Sequence, residues 1–335
     1  MKTTLALTLI ALSTLAHANG PTTDKFEVID RFKIGGEGGW DYLSLEPNSR
    51  RLFVSRSTRI DVINIDTGKK VGEVTNLKGT HQAVFATKLN RGFTSNGGDS
   101  TVTIFNLKTY AEIGRVKVGE RPDAIVFDPS SKRVFTFNAA SEDSTAIDAA
   151  TGKVLGSVKL GGRPEFPVAD GKGNIFVNIE SKSEIFEFNA RTLEGVKRWS
   201  LAPAEGPSGL AMDTRHRRLF AVTDGKMIIS DADGGKVVTT VPIGQGPDAA
   251  VFDPALGLAF SSNGAGTITV VSEDGKDKYS VVQTVETQRG ARTCALDPKT
   301  HRIFLAVAES KPGDGTSRRR QMVPGTFAII VVGRK

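Results

Sequence analysis

The chain of 335 residues has 44 basic and 37 acidic residues, a formal net charge of +7 and 39% hydrophobic residues, which are values typical of a folded globular protein. This composition excludes a disordered, collagen-like or coiled-coil chain. The single cysteine, Cys294, excludes an internal disulfide, an iron–sulfur cluster, a CxxCH haem site and a multi-cysteine zinc site.

The N-terminus has the pattern of a signal peptide. Lys2 supplies the positive charge, Leu5 to Leu15 form an apolar run, and Ala16-His17-Ala18 is a small-x-small cleavage signal. The apolar run is too short for a bilayer, which requires about 20 residues. We therefore expect cleavage after Ala18, with residues 1–18 as the signal peptide. Residues 19–335 are then one domain, periplasmic or secreted and without a transmembrane segment.

A phenylalanine recurs seven times in the remaining chain, at spacings of 40 to 44 residues. Six or seven residues before each one lies a turn position, often an acid followed by proline as in Asp128-Pro129, a pair that favours turns. Each unit holds four short β-rich runs separated by glycine-bearing turns, with no helical periodicity. This pattern predicts an all-β, seven-bladed β-propeller with four antiparallel strands per blade. The recurrent residues, predicted to pack in the core, are Phe53, Phe93, Phe135, Phe176, Phe220, Phe260 and Phe304.

The two ends of the repeat region complement one another. The first segment, KFEVIDRFKIG, resembles the fourth strand of other units, whereas the last unit ends at TFAIIVVGRK and lacks a fourth strand. Pairing these segments would remove the open sheet edges that favour aggregation. The N-terminal strand is therefore predicted to complete the last blade and close the ring.

These repeats resemble the YVTN-repeat, YncE-like family of exported seven-bladed β-propellers. The resemblance covers essentially the whole mature chain. It rests on the recurring DP…R-h-F-x-x-N and T-G-K-V-V elements and on KVGERPDAIVFDP, QRGARTCALDPKTHR and VPGTFAIIVVG. It implies a periplasmic or surface propeller, usually without an assigned reaction.

Every repeat has a residue with a polar side chain where its innermost strand begins. Because the innermost strands surround the axis, we expect these side chains to form a ring at one mouth of the central channel. Four carboxylates at one mouth would repel each other, raise some pKa values or recruit a cation. The ring consists of Asp41, His81, Asp123, Glu165, Ser208, Asp248 and Arg292.

Neighbouring loops extend this candidate site, which is predicted to bind an unknown small molecule or an envelope protein. Trp40, Tyr42 and Phe166 are expected to supply apolar walls. No cofactor is predicted, although the ring is compatible with a divalent metal. The alternative is a rim whose acids are neutralised by Arg121, Arg163 and Arg292. The added polar residues are Asn96, Asn138, Asn178, Glu180, Asp224 and Asn263.

The opposite face carries the turns between the first and second strands, whose formal charges sum to +6. This charge indicates either nucleic-acid or anionic-polymer binding or simply solubility. His216 and His301 are predicted on this face, away from His81.

A long loop between Glu309 and Thr326 carries Arg318, Arg319 and Arg320, which could hold an anionic partner or belong to an unordered loop.

Three functions remain open from the sequence. The first is a monomeric, non-catalytic binding or interaction protein, favoured because no nucleophile–base pair or metal motif is evident. The second is a metal-assisted lactonase-type hydrolase or lyase at the channel mouth. Its oxygen ligands would come from Glu165, Asn138, Asn178, Asp224 or Asp248. The third is nucleic-acid binding through the basic face.

Overall fold

A computed structural model describes residues 25–46, 48–275, 277–311 and 322–334. The predicted signal peptide and Arg318, Arg319 and Arg320 lie outside the described residues. Within these ranges, regular structure consists of 28 strands and two one-turn 3-10 helices, Thr87–Leu89 and Glu180–Lys182. None of the helices in the described ranges has the length and apolarity needed to span a membrane.

The strands form seven four-stranded antiparallel sheets, which are the blades of a β-propeller. This confirms the predicted fold class. Blades 1 to 6 each use four consecutive strands, and the first of the four is the innermost.

Blades 1 to 3 contain twelve strands: β2 (Leu43–Glu46), β3 (Arg51–Ser55), β4 (Ile60–Asn64), β5 (Lys70–Val74), β6 (Thr80–Ala86), β7 (Arg91–Asn96), β8 (Thr101–Asn106), β9 (Glu112–Lys117), β10 (Pro122–Asp128), β11 (Arg133–Asn138), β12 (Asp143–Asp148) and β13 (Val154–Lys159). Blades 4 to 6 contain twelve more: β14 (Pro164–Ala169), β15 (Asn174–Ile179), β16 (Glu184–Asn189), β17 (Gly195–Ser200), β18 (Leu210–Asp213), β19 (Arg218–Thr223), β20 (Lys226–Asp231), β21 (Lys236–Pro242), β22 (Pro247–Asp253), β23 (Leu258–Asn263), β24 (Thr267–Gly275) and β25 (Lys278–Glu286).

Blade 7 is built from both ends of the repeat region. It contains β26 (Cys294–Asp297), β27 (Arg302–Val307), β28 (Ala328–Arg334) and, as its outermost strand, β1 (Phe26–Lys33). The register of β1 with β28 runs from Phe26 opposite Arg334 to Lys33 opposite Ala328. This pairing is the ring closure expected from the sequence. The innermost strands of adjacent blades contact each other all round, including β26 with β2.

The core lies between the blades rather than within any one of them. All seven recurrent phenylalanines are at most 1% exposed. Phe220, for example, stacks on Phe252 of the next blade at 5.1 Å between ring centroids, and Phe53 contacts Phe85 of the next blade at 4.7 Å. Burial of one large side chain stabilises the fold by about 1.5–3 kcal/mol, so the repeated phenylalanine holds successive blades together.

The face that carries the turns between first and second strands, here called the turn face, is crossed by ion pairs between neighbouring blades. Arg50 of blade 1 binds Asp297 of blade 7, and Arg217 of blade 5 binds Asp170 of blade 4 at 2.9 Å. His301 of blade 7 lies 2.7 Å from Asp253 of blade 6. Arg50 and Arg217 of this basic face are therefore already paired with buried carboxylates.

A buried arginine joins blade 1 to the closure region. The Arg56 side chain is fully buried and lies 3.1 Å from Asp61, whose side chain is 1% exposed. Its guanidinium also donates hydrogen bonds to the carbonyls of Glu37 and Gly38, and it stacks on the Phe327 ring at 3.7 Å. Burial lowers the pKa of Arg56 to about 10, although Asp61 opposes this shift.

Candidate functional site

The seven positions predicted to ring the channel mouth lie in or just before the innermost strands. Four of them fall inside β6, β10, β14 and β22, and three precede β2, β18 and β26 by two residues. The group is called the mouth ring below. It consists of Asp41, His81, Asp123, Glu165, Ser208, Asp248 and Arg292.

Contacts between neighbouring blades connect most of the ring. Asp248 of blade 6 lies 3.2 Å from Arg292 of blade 7, measured from Oδ2 to Nε. The Ser208 hydroxyl of blade 5 donates to the carbonyl of Pro247 in blade 6 at 3.0 Å. Thr293 of blade 7 donates to the Asp41 carbonyl of blade 1 at 2.7 Å. Adjacent blades thus fix the backbone and side chains of the ring.

His81 occupies the centre of the most compact part of the ring. Its Nδ1 lies 2.6 Å from Oδ2 of Asp41 and 3.2 Å from Oδ1 of Asp123. One ligand atom from each of these three residues fits within 4.8 Å of the other two, and all three side chains are partly exposed. A histidine nitrogen with two carboxylate oxygens at this spacing is a set that can hold a divalent metal ion.

A glycine that sequence reasoning did not single out sets the position of His81. A Cβ on Gly97 would lie 2.9 Å from Nε2 of His81, closer than side chains normally approach. The imidazole therefore packs against the Gly97 backbone on its Nε2 side, which leaves Nδ1 directed at the two carboxylates. The run Asn96-Gly97-Gly98 is the only sequence signal of this close approach.

An aromatic pair lies across the channel below the ring. Tyr42 of blade 1 is buried, and its ring centroid is 4.7 Å from that of Phe166 in blade 4. The Tyr42 hydroxyl donates to the carbonyl of Asp248 in blade 6 at 3.0 Å. Contacts to blades 4 and 6 place these rings across the axis, so the polar mouth has an aromatic floor. Burial, together with the charge of Asp248 and other mouth acids, raises the pKa of Tyr42 well above its usual value.

Three of the mouth carboxyls resist ionisation because they are buried close to other acids. Burial, followed by the negative charges of Asp123, Glu180 and Asp248, raises the pKa of Glu165 to about 8. Burial also raises the pKa of Asp248 to about 7, although Arg292 opposes the shift. The pKa of Asp123 is raised by burial too, with His81 opposing. The sequence-based expectation of raised pKa values is thus supported for three acids.

The same negative charges favour the charged form of the ring histidine, His81. Burial by itself lowers the pKa of His81, but the hydrogen bond to Asp41 and the charge of Asp123 outweigh it and raise the pKa to about 8. Without another cation, the imidazolium therefore compensates part of the negative charge at neutral pH.

Salt bridges neutralise only part of the rim. Arg292 is paired with Asp248, and Arg163 is paired with Glu180 at 2.7 Å. The third expected cation, Arg121, lowers the pKa of Asp123 through its charge, but no ion pair joins the two in the described residues. Among those residues Glu165 has no ion-pair or hydrogen-bond partner. In the part of the chain that the structure describes, the Asp41–His81–Asp123–Glu165 arc thus has no lysine or arginine within salt-bridge distance.

Four asparagines expected at the mouth lie beneath its surface instead. Each is fully buried, because the end of the second strand is covered by the adjacent blade and by its own third strand. The amide of Asn138, for example, donates to Asp143 and Thr145 of its own blade, and that of Asn178 donates to the Ser208 carbonyl. They brace the blades and are not available to a ligand. The four are Asn96, Asn138, Asn178 and Asn263.

Two further predicted residues occupy the margin of the site. Trp40 packs on Phe327 at 5.6 Å between centroids, beside the closure region, rather than on the aromatic floor. Asp224 is exposed and accepts a hydrogen bond from the backbone N–H of Gly246 at 2.9 Å, so it caps a loop between blades 5 and 6. The ligand set offered by the mouth is therefore smaller than the sequence predicted.

Replacing Glu165 by glutamine should stabilise the protein at alkaline pH. The folded state binds the Glu165 proton up to about pH 8, whereas the unfolded chain releases it near its ordinary pKa of 4.5, so wild-type stability falls as pH rises between these values. At pH 9 we expect Glu165→Gln to raise the free energy of unfolding by about 2 kcal/mol. Converting the whole pKa difference at about 1.4 kcal/mol per unit would give a larger value. The smaller figure allows for solvent screening, because the carboxyl is partly exposed.

At pH 5 the two proteins should unfold at nearly the same urea concentration. Glu205→Gln, at an exposed position outside the ring, is the matched control and should change stability little at either pH. Equal stability of Glu165→Gln and wild type at pH 9 would contradict the proposed crowding of charge.

Comparison with known proteins supports the architecture alone. No protein-family model matches the chain, and no curated protein matches it. A chain of hydrazine synthase from Kuenenia stuttgartiensis superposes with a TM-score of 0.72 at 15% identity, covering 80% of this chain and 92% of its own. A chain of the mitotic checkpoint complex superposes with a TM-score of 0.74 at 12% identity, covering 100% and 99%. At these identities the likeness is one of fold.

Proposed function

We propose that this protein is a binding protein whose channel mouth takes up a divalent metal cation. The observation that carries the proposal is the convergence of Asp41, His81 and Asp123, from three neighbouring blades, on ligand atoms within 4.8 Å of one another. Two of the three side chains project from paired strands, and Gly97 fixes the imidazole. The donors are therefore positioned before any cation arrives.

Charge supports a cationic ligand. Arg292 and Arg163 pair with Asp248 and Glu180, so within the described residues the acids on the opposite arc have His81 as their one ion-pair partner, while Arg121 acts on Asp123 at longer range. A divalent ion would replace the His81 proton and would also lower the energy of ionised Glu165. One imidazole nitrogen with carboxylate oxygens suits Zn²⁺, Mn²⁺, Co²⁺ or Ni²⁺ better than Ca²⁺, which prefers six to eight oxygens.

The metal should bind more tightly as the pH rises. His81 must lose its proton, whose pKa is about 8, and Glu165, with a pKa also near 8, gains charge over the same range. Wild-type protein titrated with Zn²⁺ or Mn²⁺ by calorimetry should therefore gain affinity between pH 6 and pH 8.5. At a metal concentration 100 times the dissociation constant, thermal unfolding should show stabilisation of about 2.7 kcal/mol.

Asp123→Asn and His81→Gln should each reduce this affinity by at least about 100-fold. Asp224→Asn removes an exposed acid from the same face and is the control, with an expected change of less than about threefold. A calorimetric titration that loses no binding equivalent in either ring variant would overturn the proposal.

A metal-assisted hydrolase of the lactonase type is the second candidate. The specific observation in its favour is Glu165, an unpaired carboxyl with a pKa near 8 beside the metal-ligand set, which suits a general acid or base. Lactones added to the metal-loaded samples would separate the candidates. Turnover lost in Glu165→Gln with metal affinity retained favours the hydrolase, and no turnover favours a binding protein.

Export and family membership are also part of the proposal. The charged start, the apolar run from Leu5 to Leu15 and the Ala16-His17-Ala18 signal support secretion or periplasmic location. The repeated elements support membership of the YVTN-repeat family.

Nucleic-acid binding through the turn face has less support, because Arg50 and Arg217 there are paired with Asp297 and Asp170.

A further inference from the structure

A second cluster of ligand-type side chains lies on the turn face between blades 5 and 6, at the opposite end of the innermost strands from the mouth ring. Asp213 ends β18, His216 lies in the turn that follows, and Glu273 lies in β24 of the next blade. His216 Nδ1 is 2.7 Å from Asp213 Oδ2 and 3.1 Å from Glu273 Oε2. One ligand atom from each of the three residues lies within 4.8 Å of the other two.

The repeat itself explains why Asp213 is free for a ligand. In three blades the equivalent acid contacts an arginine or histidine side chain four residues after the turn acid of the next blade, as in Asp170 with Arg217 and Asp253 with His301. For Asp213 that position in the next blade is Gly257, which has no side chain. A Cβ on Gly257 would meet no atom within 4 Å, so open space lies where the inter-blade cation would be.

The Asp213 carboxylate is held so that one oxygen stays unbonded. Its side chain is 3% exposed, and one oxygen, Oδ1, accepts a hydrogen bond from the backbone N–H of Arg215 at 2.9 Å. The other oxygen, Oδ2, is buried and accepts no hydrogen bond. His216 Nδ1 lies 2.7 Å from this oxygen and 3.1 Å from Glu273 Oε2, so a proton on that nitrogen cannot point fully at both carboxylates. Two largely buried carboxylates that converge on one imidazole nitrogen are incompletely compensated, and a cation bound between them would satisfy both.

Glu273 is oriented by groups of its own blade. Tyr279 donates its hydroxyl to Oε1 of Glu273 at 3.2 Å, and the backbone N–H of Glu273 donates to the Gly257 carbonyl at 3.1 Å. Oε2 of Glu273 is thereby left to face His216, and the Glu273 side chain is 9% exposed. Such outer hydrogen bonds are typical of groups that orient metal ligands.

An irregular extension of blade 6 brings Glu273 to this place. At nine residues each, β24 and β25 are longer than any other strand of the described chain. The extended hairpin also places Asp277 against Arg218 at 2.6 Å and Tyr279 edge-on to Phe220 of blade 5. Arg218 is thus compensated by Asp277 and Asp231, so it does not cancel the two negative charges of Asp213 and Glu273.

We propose that Asp213, His216 and Glu273 form a second divalent metal site, which bridges blades 5 and 6 on the turn face. His216 Nδ1 is 2.7 Å from Asp213 Oδ2 and 3.1 Å from Glu273 Oε2. These distances are close to the roughly 3.3 Å expected between two ligand atoms that each lie about 2.0–2.1 Å from a tetrahedral ion. Two carboxylates balance the charge of one divalent cation. His216 is half exposed, which leaves the remaining coordination positions to water and gives the ion a route in.

The test titrates untagged protein with Zn²⁺ alone by calorimetry and locates the ion by anomalous scattering from zinc-soaked crystals. We expect a zinc peak among Asp213, His216 and Glu273 in wild type. His216→Gln should abolish that peak and lower the affinity of one equivalent by at least about 100-fold. Tyr279→Phe, which removes only the orienting hydroxyl, should lower it about 10-fold.

His301→Gln is the matched control, because His301 faces a single buried carboxylate, Asp253, and it should leave both zinc equivalents intact. His81→Gln separates this site from the channel mouth: it should remove the mouth equivalent and leave the turn-face one. Absence of a zinc peak at Asp213, or an unchanged titration in His216→Gln, would overturn the second site whatever happens at the mouth.

Discussion

A variant that lacks residues 1–33, and therefore β1, should fail to form a closed, cooperatively folded propeller. The outermost strand of blade 7 would be missing, which exposes the edge of β28 over its whole length. It would also remove Phe26, which packs edge-on to Phe260 of blade 6 at 5.2 Å between centroids, and Phe32, which contacts Phe304. Unpaired edges promote aggregation, so we expect insoluble or multimeric protein by size-exclusion chromatography.

The control lacks residues 1–24 only and should elute as a monomer with one sharp thermal transition. A synthetic peptide of residues 25–35, added during refolding of the shorter variant, should restore part of the transition by strand addition. Within the intact chain, Phe26→Ala should cost about 3–4 kcal/mol of unfolding free energy. A monomeric, cooperatively unfolding variant without β1 would contradict this role.

Gln283 of blade 6 also contributes to the ring closure. Its side-chain amide donates to the Phe26 carbonyl at 2.6 Å and accepts from the Phe26 N–H at 3.0 Å. Blade 6 therefore holds the beginning of β1 by a reciprocal pair of hydrogen bonds, in addition to its pairing with β28.

Asp61→Asn should destabilise the protein by about 3–5 kcal/mol at pH 7, a large effect for a change of a few atoms. It leaves the fully buried guanidinium of Arg56 without its nearest counter-charge and also removes the partner of Arg59 and Lys70, at 3.0 and 2.7 Å. Urea denaturation followed by circular dichroism would measure the loss as a lower midpoint with an unchanged slope.

The comparison variant is Asp66→Asn, which removes an acid whose side chain is 51% exposed and should cost less than about 1 kcal/mol. Burial by itself raises the pKa of Asp61, but Lys70 and Arg59 outweigh it and lower the pKa below its ordinary value of 3.8. Its stabilisation is therefore present above that pH and lost as the pH falls through the lowered pKa, where wild type and Asp61→Asn should converge. A loss below about 1 kcal/mol at pH 7 would contradict the importance of this ion pair.

The repeat made the architecture and the mouth ring predictable. A phenylalanine every 40 to 44 residues identifies equivalent strands, and one polar residue at the start of each innermost strand identifies the ring. The same logic failed for the asparagines such as Asn138, because repeat position gives the strand and the face but not the depth of the side chain. Depth depends on the neighbouring blade, which covers the end of each second strand.

Features that break the repeat were the hardest to predict. Asp213 looks like any other turn acid in the sequence, and only the glycine at position 257 distinguishes its surroundings. Arg56 directly follows β3 and Asp61 lies in β4, and the guanidinium of Arg56 is covered by Phe327, a residue 271 positions away in the chain. Contacts between distant segments of this kind are fixed by ring closure and have no local sequence pattern.

Sharing blade 7 between the two ends of the repeat region has a consequence for how the molecule opens. A linear array of repeats can fray by losing its terminal unit, which contacts only one neighbour. Here every blade is flanked on both sides, so the first unit to open must break two interfaces at once. Unfolding is therefore expected to begin with release of a single outer strand and then to involve the entire ring. We expect this to make unfolding slow and cooperative rather than stepwise.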